Sequence, residues 1–166
     1  MGLITRSRMR SYMDCGGTYH EIGEGFTEFT ENKNPKEYAR QYINEAAERT
    51  DLVGFAPSVT FAFDVYAADP VQEKILAAAN SEAVGEDAHV TVVTAFLHRA
   101  VTGGDGVEAV RRVYTVCPEK LGSGTDALIC SGNLKACGEP EPGVFDPETL
   151  TFTADGTADD GNAGEE

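Results

Sequence analysis

The 166-residue chain is long enough for one hydrophobic core, and its 41% apolar and 25% charged residues are ordinary for a soluble protein. Its formal charge of -15 argues against nucleic acid as a bound ligand, because phosphate recognition needs clustered Lys and Arg. No run approaches the ~18 apolar residues of a membrane span, no apolar stretch follows the N-terminal arginines as in a secretory signal, and Arg6 stands where N-myristoylation needs Ser or Thr.

The charge is uneven along the chain. Arg6, Arg8 and Arg10 crowd the start, whereas nine acidic residues and no basic one follow Lys135. The acidic end reads either as a solubilising tail or as a segment that meets the basic start in an assembly. YHEIGEGFTEFTEN, residues 19–32, is expected to hold one short strand with Phe26 or Phe29 inward. NKNPKEYARQYINEAAERTD follows. A helix over 36–49 would carry only the weak stripe Tyr38, Tyr42, Ile43, Ala46 and Ala47, so a long loop or arm competes with it. Structureless loops beyond ~12–15 residues are uncommon in compact domains unless they serve a function.

From residue 58 the patterns sharpen. In SVTFAFDVY, Val59, Phe61, Phe63 and Val65 alternate with Ser58, Thr60, Ala62, Asp64 and Tyr66, which is the signature of a half-buried strand. Asp69 then suits a helix N-cap, Pro70 the first helical position and Gln72 a capping box. Val71, Ile75, Ala78 and Ala79 recur at helical spacing, and the helix is expected to end near Gly85. HVTVVTAFLHRAV and VEAVRRVYTVC, separated by TGGDG, read as a hairpin. The first run is apolar on both faces, like a doubly covered strand. In the second, Val110, Tyr114 and Val116 share a face with Arg112. DALICSGNLKACG is a further strand, and ETLTFTAD places Leu150 and Phe152 inward with Thr149, Thr151 and Thr153 outward. The last twelve residues lack any large apolar group and are expected to be disordered.

The sum is a mainly β protein: a β-sandwich or barrel of about six to eight strands with one flanking α-helix. The domain is expected to span 1–154, with a long assembly loop near 31–54 and an acidic tail over 155–166.

Chemistry-bearing patterns are sparse. His20, His89 and His98 have no local nucleophile or carboxylate partner, and GSGTDALIC leads into a strand rather than the helix a dinucleotide fingerprint requires. Asp155 and Glu166 have the first-to-twelfth spacing of a calcium loop, but Asp160 occupies the glycine position. Cys15, Cys117, Cys130 and Cys137 form no CxxC pair and read as free thiols in a reducing cytoplasm. The expectation is a protein that is not an enzyme and uses no cofactor or metal.

Three segments carry a resemblance: ITRSRMRSYMDCGGTYHEIGEGFTEF, QYINEAAERTDLVGFAPSVTFAFDVYAADPVQEKI and SGNLKACGEPEPGVFDPETLTFTAD. Together they cover most of residues 4–154, and in order and spacing the chain resembles the major tail tube proteins of long-tailed bacteriophages, which are themselves related to type VI secretion tube subunits. Between Asp64 and Asp69 it departs from that pattern, with Ala67 and Ala68 in place of more polar residues. The resemblance implies a homohexameric ring that stacks into a hollow virion tail tube, assembled in the bacterial host cytoplasm. The implied partners are further copies of the chain, a tape-measure protein and a tail terminator. DNA would pass through the lumen without specific binding, and the chain would not insert in a membrane. It also implies that the polar approach to residue 58 docks on a neighbouring copy, with Arg8, Tyr38, Tyr42, Ile43, Glu45 and Arg49 as interface residues. A tail terminator or connector of the same fold, or a small β-barrel ligand-binding module lined by Phe61, Phe63 and Tyr114, are the alternatives.

Overall fold

A computed structural model describes residues 2–155; the rest of the expected acidic tail, 156–166, lies outside the described residues. The chain opens with a 3-10 turn over Arg6–Arg8 and runs through β1 (Met9–Cys15), β2 (Thr18–Ile22), β3 (Phe26–Asn32), β4 (Pro35–Arg40), β5 (Arg49–Phe55) and β6 (Ser58–Asp64). The helix α1 (Pro70–Asn80) follows. Then come β7 (His89–Ala100), β8 (Val107–Ser123), β9 (Ile129–Ala136), β10 (Glu141–Asp146) and β11 (Thr151–Ala154). The protein is mainly β with one helix, as the patterning requires.

Nine strands form one antiparallel sheet in the order β2-β1-β7-β8-β9-β6-β3, with β10 pairing the first half of β8 and β11 pairing β10. Arg6, just ahead of β1, donates to the carbonyl of Phe29 on β3 at 3.1 Å. Since β3 lies at the far end of the strand order, that bond requires the sheet to curl round on itself. The face turned inward carries Met13, Phe61, Phe63, Val92, Tyr114, Val116 and Leu134, and Val71 and Ile75 of α1 pack against the same cluster. Burying Phe61, Phe63 and Leu134, each with no exposed surface, contributes roughly 1.5–3 kcal/mol apiece before entropy. The opposite face of β1, β7 and β8 carries a second cluster of Tyr12, Val93, Ala95 and Ala109 under Phe145 of β10. Successive strand residues point to opposite faces, so the two-sided apolarity of β7 is explained: Val90 and Val92 serve one core, Val93 and Ala95 the other.

The helix begins where expected, but its cap works differently. Asp69 accepts from the amides of Val71 and Gln72, whereas the Gln72 side chain does not reach back to close a capping box. It is fully buried, accepts from the Tyr66 amide at 2.7 Å, and donates to the carbonyls of Glu24 (3.2 Å) and Asp64 (3.0 Å). One side chain therefore ties the β2–β3 turn to the end of β6. Gly25 sits beside it with φ 81°, and a Cβ there would lie 2.5 Å from Gln72 Nε2 and 2.7 Å from the Asp64 carbonyl oxygen. No other residue fits. The helix stops at Asn80 rather than near Gly85; Gly85, at φ 62°, opens a separate 3-10 turn over Gly85–Ala88.

Candidate docking surface

Residues 36–49, expected as a helix or as a long loop or arm, hold no helix: 41–48 are a loop, and it joins the strands of a β-hairpin, β4–β5, which among the described residues pair with each other and not with the main sheet. The sequence accounts for this locally: Tyr38, Thr50, Leu52, Val53 and Phe55 are strand formers, and Asn34 adopts φ 45° to turn the chain out of β3. Asn34 also closes the base of the hairpin. Its carbonyl accepts from the Ala56 amide at 3.1 Å, and its side-chain Nδ2 donates to the Ala56 carbonyl and to Ser58 Oγ, each at 3.1 Å.

The hairpin has two unlike faces. Tyr38 lies opposite Asp51 and Arg40 opposite Arg49, on one side; Glu37 lies opposite Leu52 and Ala39 opposite Thr50, on the other. A register shift between Lys36 and Glu37 leaves Val53 as the extra residue of a bulge. At the tip, the Glu45 amide bonds the Tyr42 carbonyl at 3.0 Å, Gln41 Nε2 donates to the Glu45 carbonyl at 3.0 Å, and Arg49 is ion-paired with Glu45. The tip is held by its own contacts.

No residue from Lys33 to Ala56 is buried, and the exposed ones include large apolar side chains: Ile43 at 108% of its reference surface, Val53 at 65%, Leu52 at 60% and Phe55 at 56%. Tyr42 (52%) and Tyr38 (45%) add two rings. Of the six residues singled out for docking, the hairpin brings together Tyr38, Tyr42, Ile43, Glu45 and Arg49. Arg8 stands apart, in the exposed turn before β1. Leu52, Val53 and Phe55 were not singled out, although the run TDLVGF carries a strand signal that a search for a docking stripe would find.

The remaining surface offers little chemistry. Phe61, Phe63 and Tyr114 are buried core residues. Cys15, Cys117, Cys130 and Cys137 are unbridged, and Cys137 Sγ lies 3.5 Å from His89 Nε2. Among the described residues no three His, Cys, Asp or Glu side chains converge as metal ligands, and no helix is long and apolar enough to cross a membrane.

No protein-family model matches the chain, and no curated protein matches it. Among solved structures it is similar to a chain in the six-fold symmetrised cryo-EM structure of the anti-feeding prophage (AFP) baseplate. The two share 10% sequence identity with a TM-score of 0.49, over 86% of this chain and 95% of that one.

Proposed function

We propose that this protein is a structural subunit of a phage-type tail, and specifically the tail tube subunit, in which six copies close a ring and rings stack into a hollow conduit. It carries no catalysis in this role. The observation that carries the reading is the projecting hairpin. A two-stranded ribbon is at best marginal in water on its own, yet this one holds Ile43, Leu52, Val53 and Phe55 in solvent. Covering those four side chains against a neighbouring copy would contribute roughly 6–12 kcal/mol gross at ~1.5–3 each, against several kcal/mol of lost translational and rotational freedom per copy. The balance favours association at high subunit concentration, which suits a protein made in bulk and stacked. The three sequence segments that resemble tail tube proteins favour a tube over a closed dimer.

The tape-measure protein and the tail terminator are the partners this role implies, and an acidic lumen wall would repel DNA phosphates over ~8 Å at physiological salt. Negative-stain electron microscopy of concentrated protein tests the reading: six-fold rings stacking into tubes support it. Rings that never stack indicate the tail terminator or connector instead, and a monomer at every concentration rules out both.

A further inference from the structure

A groove of about 350 Å³ opens at the seam where the start of β1 approaches β3, and it holds a buried hydroxyl and a cation that both lack a natural partner. Ser11 lines it, is only 3% exposed, and has no hydrogen-bond partner for its Oγ among the described residues. Leaving a buried polar group unpaired is unfavourable, and each such group in a native fold calls for an explanation. Arg6 lines the same groove. Its guanidinium bonds to the carbonyls of Met9 (2.5 Å) and Phe29 (3.1 Å), and among the described residues no carboxylate pairs with it. Those two bonds fix the head in place and leave the rest of its five N–H donors for a ligand.

The remaining lining residues narrow the chemistry of that ligand. A water molecule would answer the Ser11 hydroxyl but would leave the charge of Arg6 unbalanced, whereas an anion answers both. Met9 and Ser11 share a face of β1 and lie about 7 Å apart along it. A ligand that takes a hydrogen bond of ~2.8 Å at each end bridges that gap. Arg10 and Glu21 also line the groove, but they are ion-paired to each other at 3.6 Å and add no net charge. With a single uncompensated cation and the Glu21 carboxylate nearby, the groove suits one negative charge better than two. Met9, Ile22 and Phe29 complete the lining with apolar surface. A concave, largely apolar site with a few placed polar groups is the usual form of a small-ligand site, and its volume lies within the range of such sites.

We propose that this groove is a binding site for a small monocarboxylate with a short apolar body. One carboxylate oxygen accepts from Ser11 Oγ, the other from the free N–H groups of Arg6, and the body lies against Met9, Ile22 and Phe29. Arg6 is exposed, so its ion pair is weak by itself. The buried hydroxyl and the apolar walls supply the selectivity. This inference is independent of the tube reading.

Proton–nitrogen NMR of the full-length chain, kept dilute enough to sediment as a monomer, tests it by titration with sodium hexanoate, acetate and inorganic phosphate at fixed ionic strength. Hexanoate is expected to move the backbone amides of Ser11 and Ile22 saturably. It should bind at least about tenfold more tightly than acetate, since each added CH₂ that is buried is worth up to about fourfold. Ser11→Ala removes an unpaired hydroxyl and should fold as well as wild type, yet weaken hexanoate about three- to tenfold. Arg6→Gln should weaken it about three- to fivefold. Arg8→Gln, which makes the same charge change in the same turn but outside the groove, should leave binding intact. Absence of a saturable shift overturns the proposal, as does phosphate binding as tightly as hexanoate. Equal weakening by Arg6→Gln and Arg8→Gln would mean attraction by net charge alone and also overturns it. So do shifts that grow with protein concentration in the absence of hexanoate, which would mean that a second copy fills the groove.

Discussion

Arg40 and Arg49 face each other directly across the projecting hairpin, and each guanidinium lies near a tyrosine: Arg40 Cζ is 5.1 Å from the Tyr38 ring centroid and Arg49 Cζ is 5.9 Å from that of Tyr42. Like charges at directly opposed positions destabilise a strand pair. Here the rings and Glu45 relieve the repulsion locally, but the arrangement holds two cations and two aromatic rings in the exposed ribbon. Such a surface is better explained by a neighbour that uses it than by the stability of the isolated chain.

Ile43→Asp is therefore expected to separate folding from assembly. The side chain is fully exposed, so unfolding free energy in urea should change by less than about 0.5 kcal/mol. Sedimentation should show loss of higher-order species. Unimpaired assembly would remove Ile43 from the interface.

Phe61→Asp places a carboxylate at a site with no exposed surface, between Phe63 and Leu134 in the core. Burying an unpaired charge costs more than a domain of this size has in reserve. Circular dichroism is expected to show no cooperative unfolding transition. A stable folded variant would mean that β6 is not the centre of the core.

Gln72→Ala should lower stability by about 2–4 kcal/mol, since it removes three hydrogen bonds and strands the Tyr66 amide. Gln72→Glu should be worse than Ala, because a carboxylate would then confront the carbonyls of Glu24 and Asp64. The order of the denaturation midpoints, wild type above Ala above Glu, is the measurement that checks this.

Alkali should destabilise the fold. Burial pushes the Cys130 thiol above its ordinary 9.0; burial, aided by Glu21 for Tyr12 and by Glu31 for Tyr114, pushes both phenols above 10.0. The folded chain thus holds these protons more tightly than the unfolded chain. Their contribution is fully present below the unfolded values and is lost as pH rises through 9.0–10.0 and on through the higher folded values. The thermal midpoint should be level near pH 8 and fall steadily above pH 9, and Cys130→Ala should soften the early part of the decline. A midpoint flat to about pH 11 would contradict the burial of these groups.

Much of the fold was legible wherever one face of a strand is wet. Val59, Phe61 and Phe63 alternate cleanly because β6 has one buried side, and Leu150 and Phe152 turn toward the second cluster, around Phe145, beside exposed threonines. The strands that escaped notice each break that rule. In β1, Tyr12 serves one core and Met13 the other, so MRSYMDC shows no period. In β10, Pro142 and Gly143 look like turn residues, yet Gly143 is required: a Cβ there would lie 2.3 Å from the Thr153 carbonyl oxygen and 2.6 Å from the Phe152 ring. β4 and β5 bury nothing in their own chain, and a strand without a core face leaves no alternation to read. The segment proposed to dock stands out in the sequence because it is polar, long and aperiodic. Its hairpin form does not, because register there is set by the Asn34 turn and a bulge rather than by a hydrophobic pattern.

The central claim is that the β4–β5 hairpin makes the assembly, and replacing residues 35–55 by an Asn-Gly turn tests it most directly. Asn34 and Ala56 already meet at the hairpin base, so the sheet should close over the shortened turn and keep its core. Electron microscopy and sedimentation, run side by side on concentrated wild-type and shortened protein, are predicted to show stacked rings for the first and a folded monomer for the second. A shortened chain that still builds rings, or a wild-type chain that builds none, would contradict the account.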